Sequence, residues 1–440
     1  MNMDVEQEVK ALEVRAERLR SLLIFAPRAF VIEFAGTPKS GKSTSSEAIR
    51  HFLSRSGFRV HVLTERAAVC PIPMKGHLFF NTWCASSMLA ELLAKVETDT
   101  DIIIVDRGLF DTLVWMTLQE KRGEITADEA RTIEAFVLLE RWRSLIDLAV
   151  VMSVSPDEAI LRENSQHITH KAGSIMTIDV LSAISDSVEE SYKRYSKKFF
   201  AAIPHKTTGH KVRESNVELS GKVLDCLESF LNPEILVVPK TEIEALPLER
   251  GGSFVKASID KITNCLATYG RFMLREKAEV DSNYVQIIPS GVLTYQGKIF
   301  LFQRKEMDPK YRLFGKTTIW QGCHVHKQGG VGTAEIIKNA LQEHISRSLF
   351  LSRVFPINHI GYCWDRNVPS SSQHLGAIYE LSIDNPLTAL DLRKREVRKR
   401  TGHGLIGKFD DISEIKANQE KLGLESWSQS IIDFIGGRHE

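Results

Sequence analysis

The 440-residue chain has no apolar run long enough to cross a bilayer, no CxxC pair, no internal repeat and no excess of charge of one sign. Each absence excludes something. Without about 20 consecutive apolar residues there is no membrane helix. Six cysteines, Cys70, Cys84, Cys226, Cys265, Cys323 and Cys363, are scattered without disulfide-like spacing, which points to a reducing compartment and away from a zinc knuckle. The 57 Lys and Arg nearly balance the 56 Asp and Glu, so a uniformly basic nucleic-acid binder is excluded and only local patches stay open. The acidic start MNMDVEQEVK is unlike a signal peptide, and the expectation is a cytoplasmic protein. A hydrophobic fraction of 43% with 26% charged residues is enough to bury full cores. The length is that of two or three domains.

Apolar residues at Val5, Val9, Leu12, Ala16, Leu19 and Leu23 alternate in steps of four and three. That is a helix with one narrow apolar seam. Packing on the following domain is the favoured reading, with a short dimer-forming coil, and hence a homodimer, as the alternative. From Ala29 the pattern changes to apolar runs separated by amphipathic stretches: AFVIEFA, RVHVLT, DIIIVD and LAVVMSV. Such runs are strands buried on both faces, and their alternation with helices predicts a parallel α/β sheet. A last strand is expected near Lys211–Arg213, followed by a helix over Leu219–Leu231. Composition shifts at Leu231-Asn232-Pro233. The expected division is therefore a helix over 1–26, an α/β domain over 27–232 and a mixed α+β domain over 233–440. Within the last, Tyr284–Lys305 reads as two strands turned at Gly297.

Gly36-Thr37-Pro38-Lys39-Ser40-Gly41-Lys42-Ser43-Thr44 follows the first buried run and opens a helix. It satisfies GxxxxGK[ST], in which glycines let backbone N–H groups curl around phosphate oxygens. Lys42 then reaches the β and γ phosphates and Ser43 ligates magnesium. The expected ligands are ATP and Mg²⁺, with Gly36, Lys39, Ser40, Gly41, Lys42, Ser43 and Thr44 forming the cradle. The second strand runs into Thr64-Glu65-Arg66 and the third into Asp106-Arg107-Gly108-Leu109-Phe110-Asp111. With these steps in place, Ala29–Leu231 resembles the P-loop nucleoside and nucleoside-monophosphate kinases, thymidylate kinases among them. The resemblance implies that Glu65 takes the acceptor hydroxyl proton, that Asp106 helps hold Mg²⁺, and that Arg107 meets acceptor or phosphates. It also implies a lid after the fourth strand, where Arg162 is the candidate cation and Lys171 a weaker one. A nucleoside acceptor needs a base beside its hydroxyl and a monophosphate needs cations; both residue types are present, and the acceptor stays open. Phe79, Phe80 and Trp83 are candidate walls of a base pocket, though aromatic residues before a helix are more often core.

The order GVLTYQGKIFLFQRK, LFGKTTIWQGCHVHKQGG, a helix over Glu335–Leu349, INHIGYCWD and QHLGAIYELSI resembles the Nudix fold over Pro233–Phe434, with ESW at Glu425–Trp427 in the last helix. The family's box, Gx5Ex7REUxEExGU, supplies metal-binding glutamates for pyrophosphate cleavage. Framed on Gly329, Glu335, Ile345 and Leu351 fall in register. The carboxylates do not: REUxEE becomes Glu343-His344-Ile345-Ser346-Arg347-Ser348, and the closing glycine becomes Phe350. Mg²⁺ requires oxygen ligands, so the expectation is a fold without hydrolysis, retained as a nucleotide sensor, a regulatory module or a structural domain. Trp320, Arg347 and the run Arg393–Arg400 are the candidate base or anion contacts. His324 and His326 form a candidate metal pair or a pair of satisfied loop histidines. Two alternatives stand beside the kinase: a nucleotide-gated NTPase switch acting through a partner in stress or phage defence, and a Nudix pyrophosphohydrolase with an accessory P-loop. Residues 1–232 carry 29 basic and 32 acidic side chains, and residues 233–440 carry 28 and 24. Phosphate affinity in the first half must therefore come from the loop and its metal, not from a general field.

Overall fold

The computed structural model describes residues 3–436 apart from 27, 75, 97–98, 167–174, 247–253, 256–258, 306–312, 314, 328–332, 350–355, 367–371 and 384–403. Two compact units divide the chain, Met1–Leu231 and Asn232–Glu440. The fold class is α/β, with an all-parallel sheet in the first unit and a separate mixed sheet in the second.

The first unit runs α1 (Met3–Ser21), β1 (Phe30–Gly36), α2 (Lys42–Arg55), β2 (Val60–Leu63), α3 (Leu78–Lys95), β3 (Ile102–Asp106), α4 (Leu109–Lys121), α5 (Ala127–Val137), α6 (Glu140–Arg143), β4 (Leu148–Ser153), α7 (Pro156–Gln166), α8 (Ile178–Tyr195), β5 (Ala202–Lys206) and α9 (Val212–Leu231). Its strands lie in the order β2-β3-β1-β4-β5, all parallel. Alternation along the strands sorts the apolar residues to two faces. Val31, Ala35, Ile103, Val105, Ala149 and Val151 join residues of α3, α4 and α8 in one core. Phe30, Ile32, Phe34, Ile102, Ile104 and Val150 join α1, α2 and α9 in the other. Unbroken apolar strands are the consequence of burial from both sides.

The seam of α1 is intramolecular. Ala16 and Leu19 are buried in the α9 core, and Arg15 pairs with Asp225 and Glu228 at 2.6 Å each. The last strand differs from expectation. It is Ala202–Lys206, while Lys211–Arg213 leads into α9. AIPHK escapes a search for apolar runs because an edge strand needs only one buried side and tolerates a proline. Phe79, Phe80 and Trp83 lie within the first turns of α3, not before it. Phe80 is buried and Phe79 is exposed.

Among the described residues, the second unit holds ten strands: β6 (Glu234–Pro239), β7 (Phe254–Val255), β8 (Arg271–Leu274), β9 (Tyr284–Tyr295), β10 (Lys298–Lys305), β11 (Thr317–Thr318), β12 (Trp320–Gly322), β13 (Ile357–Cys363), β14 (His374–Ser382) and β15 (Gly404–Asp411). Among the described residues, β9 and β14 are the one parallel pair of strands; the other paired strands are antiparallel. The hairpin β9–β10 turns on Gln296 and Gly297, with φ 48° and 78°, the two left-handed residues a tight hairpin favours. The helix Thr333–Leu349 buries Ile337, Leu341 and Ile345 in one core of the sheet. The helix Ser426–Gly436 buries Trp427, Ile431, Ile432 and Ile435 in another.

Candidate functional site

Ligands of open parallel sheets sit at the carboxyl ends of the strands, and there β1 turns into α2. Gly36, at φ +124°, packs so closely on β4 that a Cβ would lie 1.9 Å from the Met152 carbonyl oxygen. The turn is pinned by Thr37 N–H donating to Met152 O at 3.0 Å. Lys39 and Gly41 are left-handed as well, at φ 57° and 91°. The Lys42 ammonium is buried and donates to the carbonyls of Gly36 and Thr37 at 3.1 and 2.6 Å. Burial, with Arg107 nearby, pushes its pKa down to about 7. An amine so poised gains its full charge when an anion enters. Ser40 is buried and bonded to the Thr37 carbonyl, whereas Ser43 and Thr44 open α2 exposed.

The β3 end lies beside this loop. Ser43 Oγ stands 3.3 Å from Asp106 Oδ2, and Asp106 Oδ1 is buried with no hydrogen-bond partner. Burial raises the Asp106 pKa against the opposing pull of Arg107 and Lys42. Arg107 has φ 61°, a conformation that costs a residue with a side chain about 1–3 kcal/mol and persists only when its surroundings hold it. Its N–H donates to Phe34 O at 3.0 Å. Its guanidinium meets Asp111 at 3.0 Å and Glu65 at 2.9 Å. Desolvation acts to lower the Arg107 pKa, and the carboxylates of Asp111 and Glu65 carry it above its ordinary value. Glu65, at the end of β2, is half-buried. Arg66 turns away to Glu91 at 2.8 Å.

Two acids outside the expected site, Asp111 and Glu33, organise this edge. Asp111 is buried and accepts from Gly36 N at 3.1 Å, from Arg107 and from Trp115 Nε1 at 3.0 Å. Glu33, fully buried in β1, accepts from Gly108 N and Asp111 N at 3.0 and 2.9 Å. It closes the N-terminus of α4 from the neighbouring strand, which suits an anion. Burial raises its pKa to about 7. The signal was legible: a lone glutamate inside the apolar run FVIEFA.

Arg162, on α7, donates to Lys39 O and Thr207 Oγ1 at 3.0 Å each and pairs with Glu158 at 2.5 Å. Lys39 Nζ meets Glu163 at 2.7 Å. Thus α7 is latched onto the phosphate loop by two adjacent side chains. Lys171 lies outside the described residues.

In the second unit, Ala334, Glu335, Lys338, Asn339, Gln342 and Tyr379 line an open groove of ≈ 440 Å³. At about 100° per residue, helix position 344 falls roughly half a turn away from the centre of that lining. Among the described residues, this lining holds one carboxylate, Glu335, and one ammonium, Lys338, a turn apart on the same helix. Trp320 is not a ligand contact: it is buried, donates to Glu425 Oε1 at 2.6 Å and packs on Trp427. Glu425 also accepts from Trp427 N and Ser428 N at 3.0 and 2.5 Å, so ESW is a helix start and a core anchor. Gly329, Phe350, Leu351 and Arg393–Arg400 lie outside the described residues, as does the Arg347 side chain. His324 Nε2 bonds Gln286 Oε1 at 2.9 Å, and burial pushes this imidazole well below its usual range.

Among the described residues, no helix is long and apolar enough to cross a membrane. No protein-family model matches the chain. Among curated proteins, Protein YmaB of Bacillus subtilis is 25% identical over 207 residues, 46% of this chain and 96% of that protein. Solved structures with similarity to parts of the chain include a deoxyadenosine kinase from M. mycoides with bound dATP, at 19% identity and TM-score 0.36 over 44% of this chain and 100% of that one. A proposed Nudix hydrolase, Tm1382, aligns at 17% identity and TM-score 0.34 over 46% of this chain and 97% of its own. What the site can do is decided by its side chains.

Proposed function

We propose that the first unit transfers the γ-phosphoryl group of ATP, with Mg²⁺, to a hydroxyl of a nucleoside or to the phosphate of a nucleoside monophosphate. The observation that carries this reading is the convergence at one sheet edge of the buried Lys42 amine, Ser43, the unpartnered Asp106 Oδ1 and Glu65. Phosphoryl transfer needs positioning and charge neutralisation more than covalent chemistry. Lys42 supplies a cation inside a cradle of backbone amides. An orphaned buried carboxylate oxygen beside a serine hydroxyl fits a hard cation or its water, and Mg²⁺ bound there neutralises the triphosphate. Glu65 is placed to accept the proton of an attacking hydroxyl as the bond from phosphorus to the ADP oxygen breaks. Arg107 orients Glu65 and offers an N–H to an acceptor oxygen. Arg162 and Lys39 tie α7 to the loop, which supports a lid that follows occupancy of the cradle.

The second unit is proposed as a regulatory nucleotide-binding module without pyrophosphohydrolase activity, because among the described side chains Glu335 is the one carboxylate that the helix Thr333–Leu349 presents to its groove. Incubation of the protein with ATP, Mg²⁺ and a panel of nucleosides and monophosphates, with chromatography of the products, tests the first claim. ATP hydrolysis with no phosphorylated acceptor would overturn it in favour of a nucleotide-gated switch. Metal-dependent cleavage of a dinucleoside polyphosphate that is lost in Glu335→Ala would overturn the second.

A further inference from the structure

We propose that Glu279, His324 and His374, in the second unit, form a site for a transition-metal dication of the zinc class. One ligand atom from each lies within 4.8 Å of those from the other two, and all three residues are half-buried. They come from separate elements: Glu279 follows a short helix over Arg275–Ala278, His324 follows β12, and His374 opens β14. Two imidazoles and one carboxylate are the donor set of zinc-class ions and not of Mg²⁺, which takes oxygens. Tetrahedral bonds of roughly 2.1 Å place ligand atoms about 3.4 Å apart, so the three need to converge by about 1 Å.

What makes this a built site is Gln286. It is fully buried on β9. Its amide nitrogen donates to the carbonyl of Ala278, next to Glu279, at 3.2 Å. That contact turns its Oε1 to His324 Nε2 at 2.9 Å. With Oε1 as acceptor, Nε2 carries the ring proton; this nitrogen also faces Glu279, 4.0 Å from its Oε1, so a metal shared with Glu279 either takes Nε2 from Gln286 or turns the ring to bring in Nδ1. Gln286 is also the register partner of His374 across β9 and β14, and its N–H bonds Gln373 O at 2.7 Å. Gln286 thus touches the segments that carry all three ligands, its side-chain amide meeting the Ala278 carbonyl and His324 and its backbone N–H the Gln373 carbonyl, as outer-shell residues do at metal centres. The opposing feature is Arg275, whose Nε stands 3.3 Å from Glu279 Oε1. A metal entering the site takes over from this guanidinium as the carboxylate's partner. Three protein ligands leave a coordination position for water or a ligand oxygen.

The test uses the full-length chain, stripped with a chelator and titrated with Zn²⁺ alone against a chromophoric competitor, then with Co²⁺ followed by visible absorption. The expected result is about one Zn²⁺ per chain and the intense Co²⁺ bands of a low-coordinate nitrogen and oxygen site. Glu279→Gln, His324→Ala and His374→Ala should each weaken Zn²⁺ at least about tenfold. Arg275→Gln should tighten it. Should His324→Ala fail to fold, Glu279→Gln, which keeps volume and hydrogen bonding, carries the test. Zn²⁺ binding that survives all three ligand substitutions, or no binding beyond that of the His324→Ala/His374→Ala double variant, overturns the proposal. No nucleotide is present in these measurements, so their failure is separate from failure of the phosphotransferase reading.

Discussion

The Glu65 carboxylate lies 2.9 Å from the Arg107 guanidinium, across the ends of two adjacent strands. This pairing sets the expected behaviour of Glu65→Gln. The amide keeps the shape and loses the base, so phosphoryl transfer should fall by about 10²–10⁴ while nucleotide affinity stays near wild type. Steady-state kinetics with the best acceptor and ATP-analogue binding measure the two separately. An unchanged turnover would remove Glu65 from the chemistry.

Lys42 provides a pH test. Its folded pKa, about 7 against an ordinary 10.5, means that the folded protein holds fewer protons than the unfolded chain between those values. The destabilisation from this residue is full below about pH 7 and is relieved as pH rises toward 10.5. An incoming triphosphate favours the ammonium, so binding near pH 8 should take up a proton, and affinity should fall between pH 7 and 9. Calorimetry in buffers of different ionisation enthalpy reads the uptake directly. Lys42→Met should abolish both the uptake and most of the affinity.

Most of the first unit's architecture was legible because it is written in unbroken apolar strands and one phosphate-loop pattern. Less visible were the acids that hold that loop. Asp111 is unremarkable in sequence, and its hub position appears only when β1 and β3 lie side by side. β5 escapes the apolar pattern because AIPHK is half-exposed at an edge, and amphipathic or apolar periodicity does not mark such strands. In the second unit, the hairpin and the helix Thr333–Leu349 followed from their patterns. Trp320 misled, since an aromatic in a glycine-containing loop looks the same whether it stacks on a ligand or, as here, on Trp427. The grouping of His324 with Glu279 and His374 joins positions far apart along the chain, which spacing alone does not bring together.

Gly36 should be the least replaceable position of the loop. An added Cβ meets the Met152 carbonyl, and φ +124° is strained for any side chain. Gly36→Ala should lose nucleotide binding and destabilise the unit by about 1–3 kcal/mol or more. Urea denaturation together with a nucleotide-binding titration checks it. Gly123→Ala, with φ +66° and open space around its Cβ, is the control for backbone strain without the clash.

Glu33 gives the opposite pH signature to Lys42, in a different window. Its pKa rises from an ordinary 4.5 to about 7 on folding, so the folded state holds the extra proton. Its contribution is fully present below about pH 4.5 and is lost as pH rises through about 7. Beyond that point Lys42 begins to restore stability, so these two groups together predict a local minimum near neutrality. Glu33→Gln retains a carbonyl oxygen for the Gly108 and Asp111 N–H groups and should flatten the acidic limb. Glu33→Leu leaves both buried N–H groups unsatisfied, at roughly 1–3 kcal/mol each, and frees the start of α4 beside Arg107. Denaturant midpoints measured from pH 5 to 9 for the three proteins decide the matter: an acidic limb unchanged in Glu33→Gln would assign that slope to another group.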